Sequence, residues 1–184
     1  MSESRAVAVF GSAGALPGSE ERERAEWVGR ALAERGLTVV TGGYGGIMEA
    51  ASKGAAEAGG HVVGVTAPSE FPDRVGANRY VAEEIAAPGL TSRIGAMMAM
   101  AAGAVALPGS IGTAAELLIA WNRNHIARHS GGRAFPVAAV GAAWRRLAET
   151  LIAGAGAFAG DVHLASTAEE AVDWLLQQME DPAS

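Results

Sequence analysis

The sequence predicts an α/β fold in which a doubly wound parallel sheet is covered by helices on both faces. Short apolar runs of strand length alternate with longer stretches of helical periodicity along the 184 residues. The apolar runs are continuous rather than alternating, as in strands that are buried on both faces of a parallel sheet. Hydrophobic residues make up 49% of the chain, and its length suits one core. We therefore expect a single domain over residues 1–184.

Six strands and six helices are predicted to alternate along the chain. The strands cover residues 6–10, 37–41, 61–65, 104–107, 135–140 and 162–165. The helices cover residues 19–35, 47–58, 92–102, 113–129, 143–153 and 167–179. The first helix carries the clearest end signals, because Ser19 can cap its amino end, acidic residues fill its first turn, and Gly36 can end it.

Residues 67–90 interrupt this alternation. Prolines and glycines punctuate the segment, and Pro68 and Pro88 lie near its two ends. We interpret it as a surface flap in which only residues 80–85 are extended. At the end of the chain, residues 181–184 are expected to form a frayed tail.

Composition excludes several classes of function. The chain has no cysteine, which rules out disulfide frameworks, thiolate metal sites and thiol nucleophiles. Its formal net charge is −6 and its 14 basic residues are scattered, which argues against a nucleic-acid partner. His125 and His129 have the spacing of a metal-ligand pair, but no third ligand is near in the sequence, so we expect no bound metal.

The sequence also lacks membrane and export signals. Its longest stretch of low polarity, residues 94–107, is shorter than the ~20 apolar residues that a transmembrane helix needs. The first residues do not combine a basic region, an apolar core and a cleavage site, as a signal peptide does. We expect a cytoplasmic protein without a membrane partner.

Three glycine-rich segments follow predicted strands, at residues 11–14, 42–46 and 108–113. The carboxyl ends of parallel strands share one rim of the sheet, where ligands bind in doubly wound folds. The third segment leads into a helix whose free N–H groups favour an anion such as phosphate, although an ordinary strand-to-helix turn has the same pattern. The other two segments can converge on the same ligand.

A dinucleotide site is disfavoured. The segment 11–14 lacks the third glycine of the dinucleotide fingerprint, and no acidic residue ends the second strand, where Thr41 and Gly42 stand. An NAD-dependent oxidoreductase therefore stays only as a weak alternative.

Glu116 has two interpretations. With Thr113 it forms the pattern of a helix capping box, or it places a carboxylate beside a phosphosugar. Arg93 lies near the start of the preceding helix, where the helix dipole disfavours a cation. Met97 belongs to the core or lines a base pocket.

Taken together, these segments resemble the LOG family, whose characterised members are cytokinin nucleoside 5′-monophosphate phosphoribohydrolases. The family motif PGGxGTxxE corresponds to residues 108–116 (PGSIGTAAE), and RxxxM corresponds to residues 93–97 (RIGAM). The upstream glycine loop corresponds to residues 42–48 (GGYGGIM). The resemblance covers about residues 6–150, and it is nearest to a short bacterial branch. Ser110 departs from the motif, since the family has a second glycine there.

The resemblance implies a Rossmann-like fold, no cofactor, and hydrolysis of the N-glycosidic bond of a cytokinin-type or AMP-like purine nucleoside 5′-monophosphate. It implies that Arg93 and Glu116 are catalytic. The expected substrate- and phosphate-binding residues are Gly11, Ser12, Gly42, Gly43, Gly45, Met97, Pro108, Gly109, Ser110, Gly112 and Thr113. A homodimer is also implied, and we expect its interface on the helices that carry residues 97–100 and 117–121.

A second interpretation uses the same phosphate site without catalysis. A related branch resembles the molybdenum-cofactor carrier protein, which binds a phosphorylated pterin and hydrolyses no nucleotide. The chain is then a carrier or sensor of a phosphorylated nucleotide-like ligand.

Overall fold

The computed structural model describes residues 5–180, which form one seven-stranded parallel sheet with helices on both faces. The strands are β1 (Ala6–Phe10), β2 (Thr38–Thr41), β3 (Val62–Thr66), β4 (Glu83–Ala86), β5 (Gly103–Ala106), β6 (Val137–Val140) and β7 (His163–Ala165). They lie in the order β4-β3-β2-β1-β5-β6-β7, which confirms the doubly wound α/β fold. The predicted tail, residues 181–184, lies outside the described residues.

Six helices cover the sheet. They are α1 (Glu20–Ala33), α2 (Ile47–Glu57), α3 (Leu90–Met100), α4 (Ile111–Ser130), α5 (Ala142–Ala155) and α6 (Ala168–Glu180), and a short 3-10 helix spans Ala159–Asp161. Val7 and Val9 of β1 contribute to a core with α1, α2 and α6, whereas Ala8 and Phe10 contribute to a second core with α3, α4 and α5. Both faces of the central strand are therefore buried, as its continuous apolar pattern predicts.

The sheet has one strand more than the six predicted. Residues 83–86 form β4 at the sheet edge, where Val63 pairs with Glu83 and Thr66 pairs with Ala86. The sequence predicts only an extended stretch here, over residues 80–85, because an edge strand stays largely exposed and two of the four residues of β4 are glutamates. The flap is thus confined to residues 67–82, which form turns and bends.

α4 begins at Ile111, two residues earlier than predicted. Ser110 is its N-cap residue, and no side chain caps the helix. Thr113 is therefore the third helical residue and Glu116 lies in the second turn, so the capping-box interpretation of Glu116 is wrong. α3 also begins earlier, at Leu90, which places Arg93 at the end of its first turn.

Only part of the apolar surface expected for a dimer interface is exposed. Met97, Leu117 and Trp121 are buried within this chain, so they are not available to a partner. The exposed apolar side chains of α4 are Ile111, Leu118, Ile119 and Ile126, and two of them, Leu118 and Ile119, lie within the predicted range 117–121. No helix within residues 5–180 is long and apolar enough to cross a membrane.

Candidate functional site

A cleft of about 320 Å³ opens at the carboxyl ends of β1 and β5. These strands are neighbours in the sheet, and the chain continues from them in opposite directions. Ligands of such folds bind at the point where the strand order reverses. The cleft is lined by Gly11, Ala13, Met48, Phe71, Arg74, Leu90, Arg93, Ile94, Ser110, Ile111, Gly112, Thr113, Ala115 and Glu116. It therefore combines residues from the first glycine-rich segment, the flap, α2, α3 and α4.

Arg93 is buried in the wall of this cleft and is held by several acceptors. Its Nε donates to the carbonyl of Val65 (2.7 Å), and its Nη2 donates to the carbonyl of Gly42 (3.0 Å) and to Sδ of Met48 (3.7 Å). A methyl group on Gly42 would collide with Nη2, so the close approach of the guanidinium requires glycine at this position. Nη1 is the nitrogen that these bonds leave free.

Nη1 of Arg93 faces Glu116, with 3.5 Å between Nη1 and Oε1. Only 5% of Arg93 and 7% of Glu116 is exposed to solvent. Burial raises the pKa of the Glu116 carboxyl to about 7, because the charged form loses hydration, and the positive charge of Arg93 opposes this rise. Burial also lowers the pKa of Arg93. Near neutral pH, Glu116 can therefore both accept and donate a proton.

The amino end of α4 borders the cleft at the place where the sequence predicts an anion site. The first helical hydrogen bond runs from the N–H of Ala114 to the carbonyl of Ser110 (3.0 Å), which leaves the N–H groups of residues 111–113 without helical partners. No acidic residue lies in this first turn. A methyl group on Gly109 would collide with the side chain of Thr113, so the loop packs directly against the helix. Such an end favours a phosphate group.

The first glycine-rich segment borders the cleft and supports α2. Gly11 lines the cleft, and a methyl group there would collide with Ile47. Ser12 is not among the lining residues. Its Oγ accepts from the N–H of Gly14 (3.0 Å), and its carbonyl accepts from the N–H of Ile47 (2.9 Å), so it holds the segment against α2.

Besides Ser12, six expected binding residues are not among those that line the cleft: Gly42, Gly43, Gly45, Met97, Pro108 and Gly109. The carbonyl of Gly43 accepts from the side chain of Asn78 (3.0 Å), and Gly45 is exposed. Met97 is fully buried in the core, and Pro108 is half-buried at the end of its strand. These residues shape the surrounding loops and core.

The flap adds two cleft residues that sequence reasoning missed, Phe71 and Arg74. The flap is fastened by Asn78, whose Nδ2 donates to the carbonyls of Gly43 (3.0 Å) and Tyr44 (3.1 Å). An irregular segment has no periodicity from which its contacts can be read, so the sequence alone carries no signal for these positions.

Comparisons with known proteins identify relatives of this chain. The cytokinin riboside 5′-monophosphate phosphoribohydrolase LOG of Oryza sativa subsp. japonica is 38% identical to this chain over 97 residues. The match covers 51% of this chain and 40% of the rice protein, so the chain spans less than half the length of that curated relative. The resemblance to the LOG family is thereby confirmed.

Two solved structures share the fold over nearly the whole chain. The molybdenum cofactor binding protein of Rippkaea orientalis has a TM-score of 0.77 at 21% identity, covering 97% of this chain and 99% of that one. The molybdenum cofactor carrier protein of Chlamydomonas reinhardtii has a TM-score of 0.73 at 25% identity, covering 96% and 99%. A model of the SLOG cluster4 family matches residues 4–129. Since this match covers more than half of the 184 residues, the chain belongs to the SLOG cluster4 family.

Proposed function

We propose that the cleft hydrolyses the N-glycosidic bond of a purine nucleoside 5′-monophosphate, of the cytokinin or AMP type. Water adds to the C1′ carbon of the ribose while the bond from C1′ to the base nitrogen breaks. One proton of the water stays on the new sugar hydroxyl, and the other ends on the released base. The products are a free base and ribose 5-phosphate.

The buried pair of Arg93 and Glu116 is the observation that carries this proposal. The ionised form of Glu116 stabilises the positive charge that develops on the ribose in an oxocarbenium-like transition state. With its pKa at about 7, the same carboxyl can take a proton from the attacking water and pass it to the leaving base. Arg93 supports the ionised form of Glu116 and fixes its position.

The amino end of α4 binds the phosphate in this proposal, through Gly109, Ser110, Gly112 and Thr113. Binding energy from this remote group holds C1′ beside Glu116, which lies one turn further along the same helix. Gly11 borders the phosphate or the ribose, and Ser12 holds the segment that carries Gly11 in place. No metal or other cofactor enters the reaction, since water is the nucleophile and a carboxyl moves the proton.

A second candidate is a non-catalytic carrier or sensor of a phosphorylated nucleotide-like ligand. The likeness of the fold to a molybdenum cofactor carrier protein, together with Ser110 in place of a motif glycine, favours this alternative. It uses the same phosphate site and differs only in whether the glycosidic bond breaks.

Chromatography of reaction mixtures separates the two candidates. The protein is incubated with a panel of purine and pyrimidine nucleoside monophosphates and with N6-substituted AMP, and free base is measured. Release of base by the wild type and its loss in Glu116→Gln support the hydrolase. Binding of these ligands without release of any base supports the carrier.

We also propose a cytoplasmic homodimer, with no nucleic-acid or membrane partner. The exposed apolar side chains of Leu118, Ile119 and Ile126 on α4 support association, because such residues rarely cluster on a free surface. A symmetric pair of these helices would form an interface in which each chain contributes the same residues.

A further inference from the structure

Two aromatic rings lie beside the buried ion pair. Tyr44 and Phe71 meet edge to face, with 5.4 Å between their ring centroids. Tyr44 is buried, and its hydroxyl accepts a hydrogen bond from the backbone N–H of Ala67 (2.8 Å), which fixes its ring. Phe71 is only half-buried and lines the cleft. Part of an aromatic ring is therefore open to whatever the cleft binds.

Arg74 lies on these rings and carries an uncompensated charge. Its guanidinium carbon is 4.4 Å from the centroid of Phe71 and 4.7 Å from that of Tyr44. No carboxylate within residues 5–180 forms an ion pair with Arg74, and Glu116, the one acidic residue of the cleft lining, already faces Arg93. An exposed guanidinium held only by ring contacts can move onto another flat ring at little cost.

We propose that Phe71 and Arg74 form a subsite for the flat heteroaromatic base of the ligand. The proposal rests on the function proposed above and adds the residues that recognise the base. Phe71 stacks on the base, and the guanidinium of Arg74 lies over the electron-rich face of the base. The subsite is contributed by the flap, whereas the phosphate site belongs to α4. The two ends of the ligand are thus recognised by separate elements, and recognition by stacking takes any flat base rather than one base alone.

Calorimetric titration with two monophosphates tests the subsite. Formycin 5′-monophosphate carries a purine-like ring on a carbon–carbon bond that cannot be hydrolysed, and ribose 5-phosphate lacks the ring. We expect Phe71→Leu and Arg74→Gln each to raise the dissociation constant of formycin 5′-monophosphate about tenfold. The dissociation constant of ribose 5-phosphate should stay unchanged in both variants.

Arg79→Gln is the matched control. Arg79 lies in the same flap and its guanidinium sits on the ring of Tyr80 (4.8 Å), but it does not line the cleft. This variant should bind both ligands as the wild type does. Phe71→Tyr, which keeps the ring, should also bind like the wild type. Arg74 is exposed, so Arg74→Gln decides the question even if Phe71→Leu does not fold.

Three results would overturn the subsite. The first is equal weakening of both ligands by Arg74→Gln, which would assign the guanidinium to the phosphate. The second is unchanged binding of formycin 5′-monophosphate in both variants. The third is a wild type that binds neither ligand, which would also remove the proposed phosphate site. By contrast, the expected binding pattern together with no release of base from AMP would support the subsite and contradict only the proposed hydrolase activity.

Discussion

Nη1 of Arg93 lies 3.5 Å from Oε1 of Glu116, and both side chains are almost fully withdrawn from solvent. Burying one of these charges alone would be costly, whereas the pair offsets part of the cost. Glu116 nevertheless keeps a raised pKa, since desolvation outweighs the attraction of Arg93. A carboxyl that lines a cleft and has a pKa of about 7 is suited to proton transfer.

Replacing Glu116 separates catalysis from binding. Glu116→Gln keeps the shape of the side chain and removes its charge and its titration. We expect turnover of the preferred monophosphate to fall ~100-fold or more, because one preorganised electrostatic group is lost. Its dissociation constant should change little, since the N–H groups at the start of α4 are untouched. Glu70→Gln, on the exposed flap, is the control and should leave both quantities unchanged. Measurable turnover that survives Glu116→Gln would end the catalytic assignment.

Stability should depend on pH through Glu116. Its pKa is raised from 4.5 to about 7 in the folded chain, so the folded state holds a proton that the unfolded state releases. Glu116 therefore makes its full contribution to the free energy of unfolding below about pH 4.5. This contribution is lost as the pH rises to about 7.

The pKa shift of Glu116 sets the size of this change in the free energy of unfolding, which is at most ~3 kcal/mol. Urea unfolding of wild type and Glu116→Gln at pH 5 and pH 8 measures it, because the other titrating groups cancel in the difference. The wild type should lose more stability than the variant between these two pH values. An identical loss in both proteins would contradict the raised pKa.

Arg93 and Glu116 should act as a unit. Arg93→Ala removes the partner of a buried carboxylate and leaves the carbonyls of Gly42 and Val65 without their donor, so we expect a loss of ~3 kcal/mol in unfolding free energy. Turnover should fall as well. In the double variant with Glu116→Gln, the effects on turnover should be less than additive. Additive effects in the double-mutant cycle would show that the two residues act independently.

Phosphate should account for much of the ligand affinity. AMP at 100 times its dissociation constant should stabilise the fold by ~2.7 kcal/mol, whereas adenosine at the same concentration should give a much smaller gain. Thermal unfolding in the presence of each compound measures the difference. Equal shifts from AMP and adenosine would argue against an anion site at the start of α4.

The outward face of α4 should hold a dimer together. Ile119→Asp places a charge among the exposed apolar side chains and should convert the dimer to a monomer. Sedimentation velocity at micromolar concentration detects the change. Ile152→Asp, a matched substitution on α5, is the control and should leave the dimer intact. A wild type that sediments as a monomer would refute the dimer.

The sheet and the two residues of the buried pair, Arg93 and Glu116, can be predicted from the sequence. Buried parallel strands such as β1 are continuous apolar runs, and glycine-rich turns mark their carboxyl ends. Arg93 and Glu116 are identified through motifs, but their contact depends on how α3 and α4 are placed on the same face of the sheet, which periodicity does not encode. The strand β4 is predicted only as an extended part of the flap, because its two glutamates leave no apolar run. Phe71 and Arg74 were missed because the flap follows no regular pattern.

The contacts of Arg93 join residues from both halves of the chain. Arg93 lies on α3, the crossover between the strands on one side of β1 and those on the other. Its guanidinium reaches Gly42 and Val65 in the first half of the chain and Glu116 in the second. The second half of the chain holds both members of the pair, but the acceptors that orient Arg93 come from the first half, so the geometry of the pair should form only once the two halves have packed together.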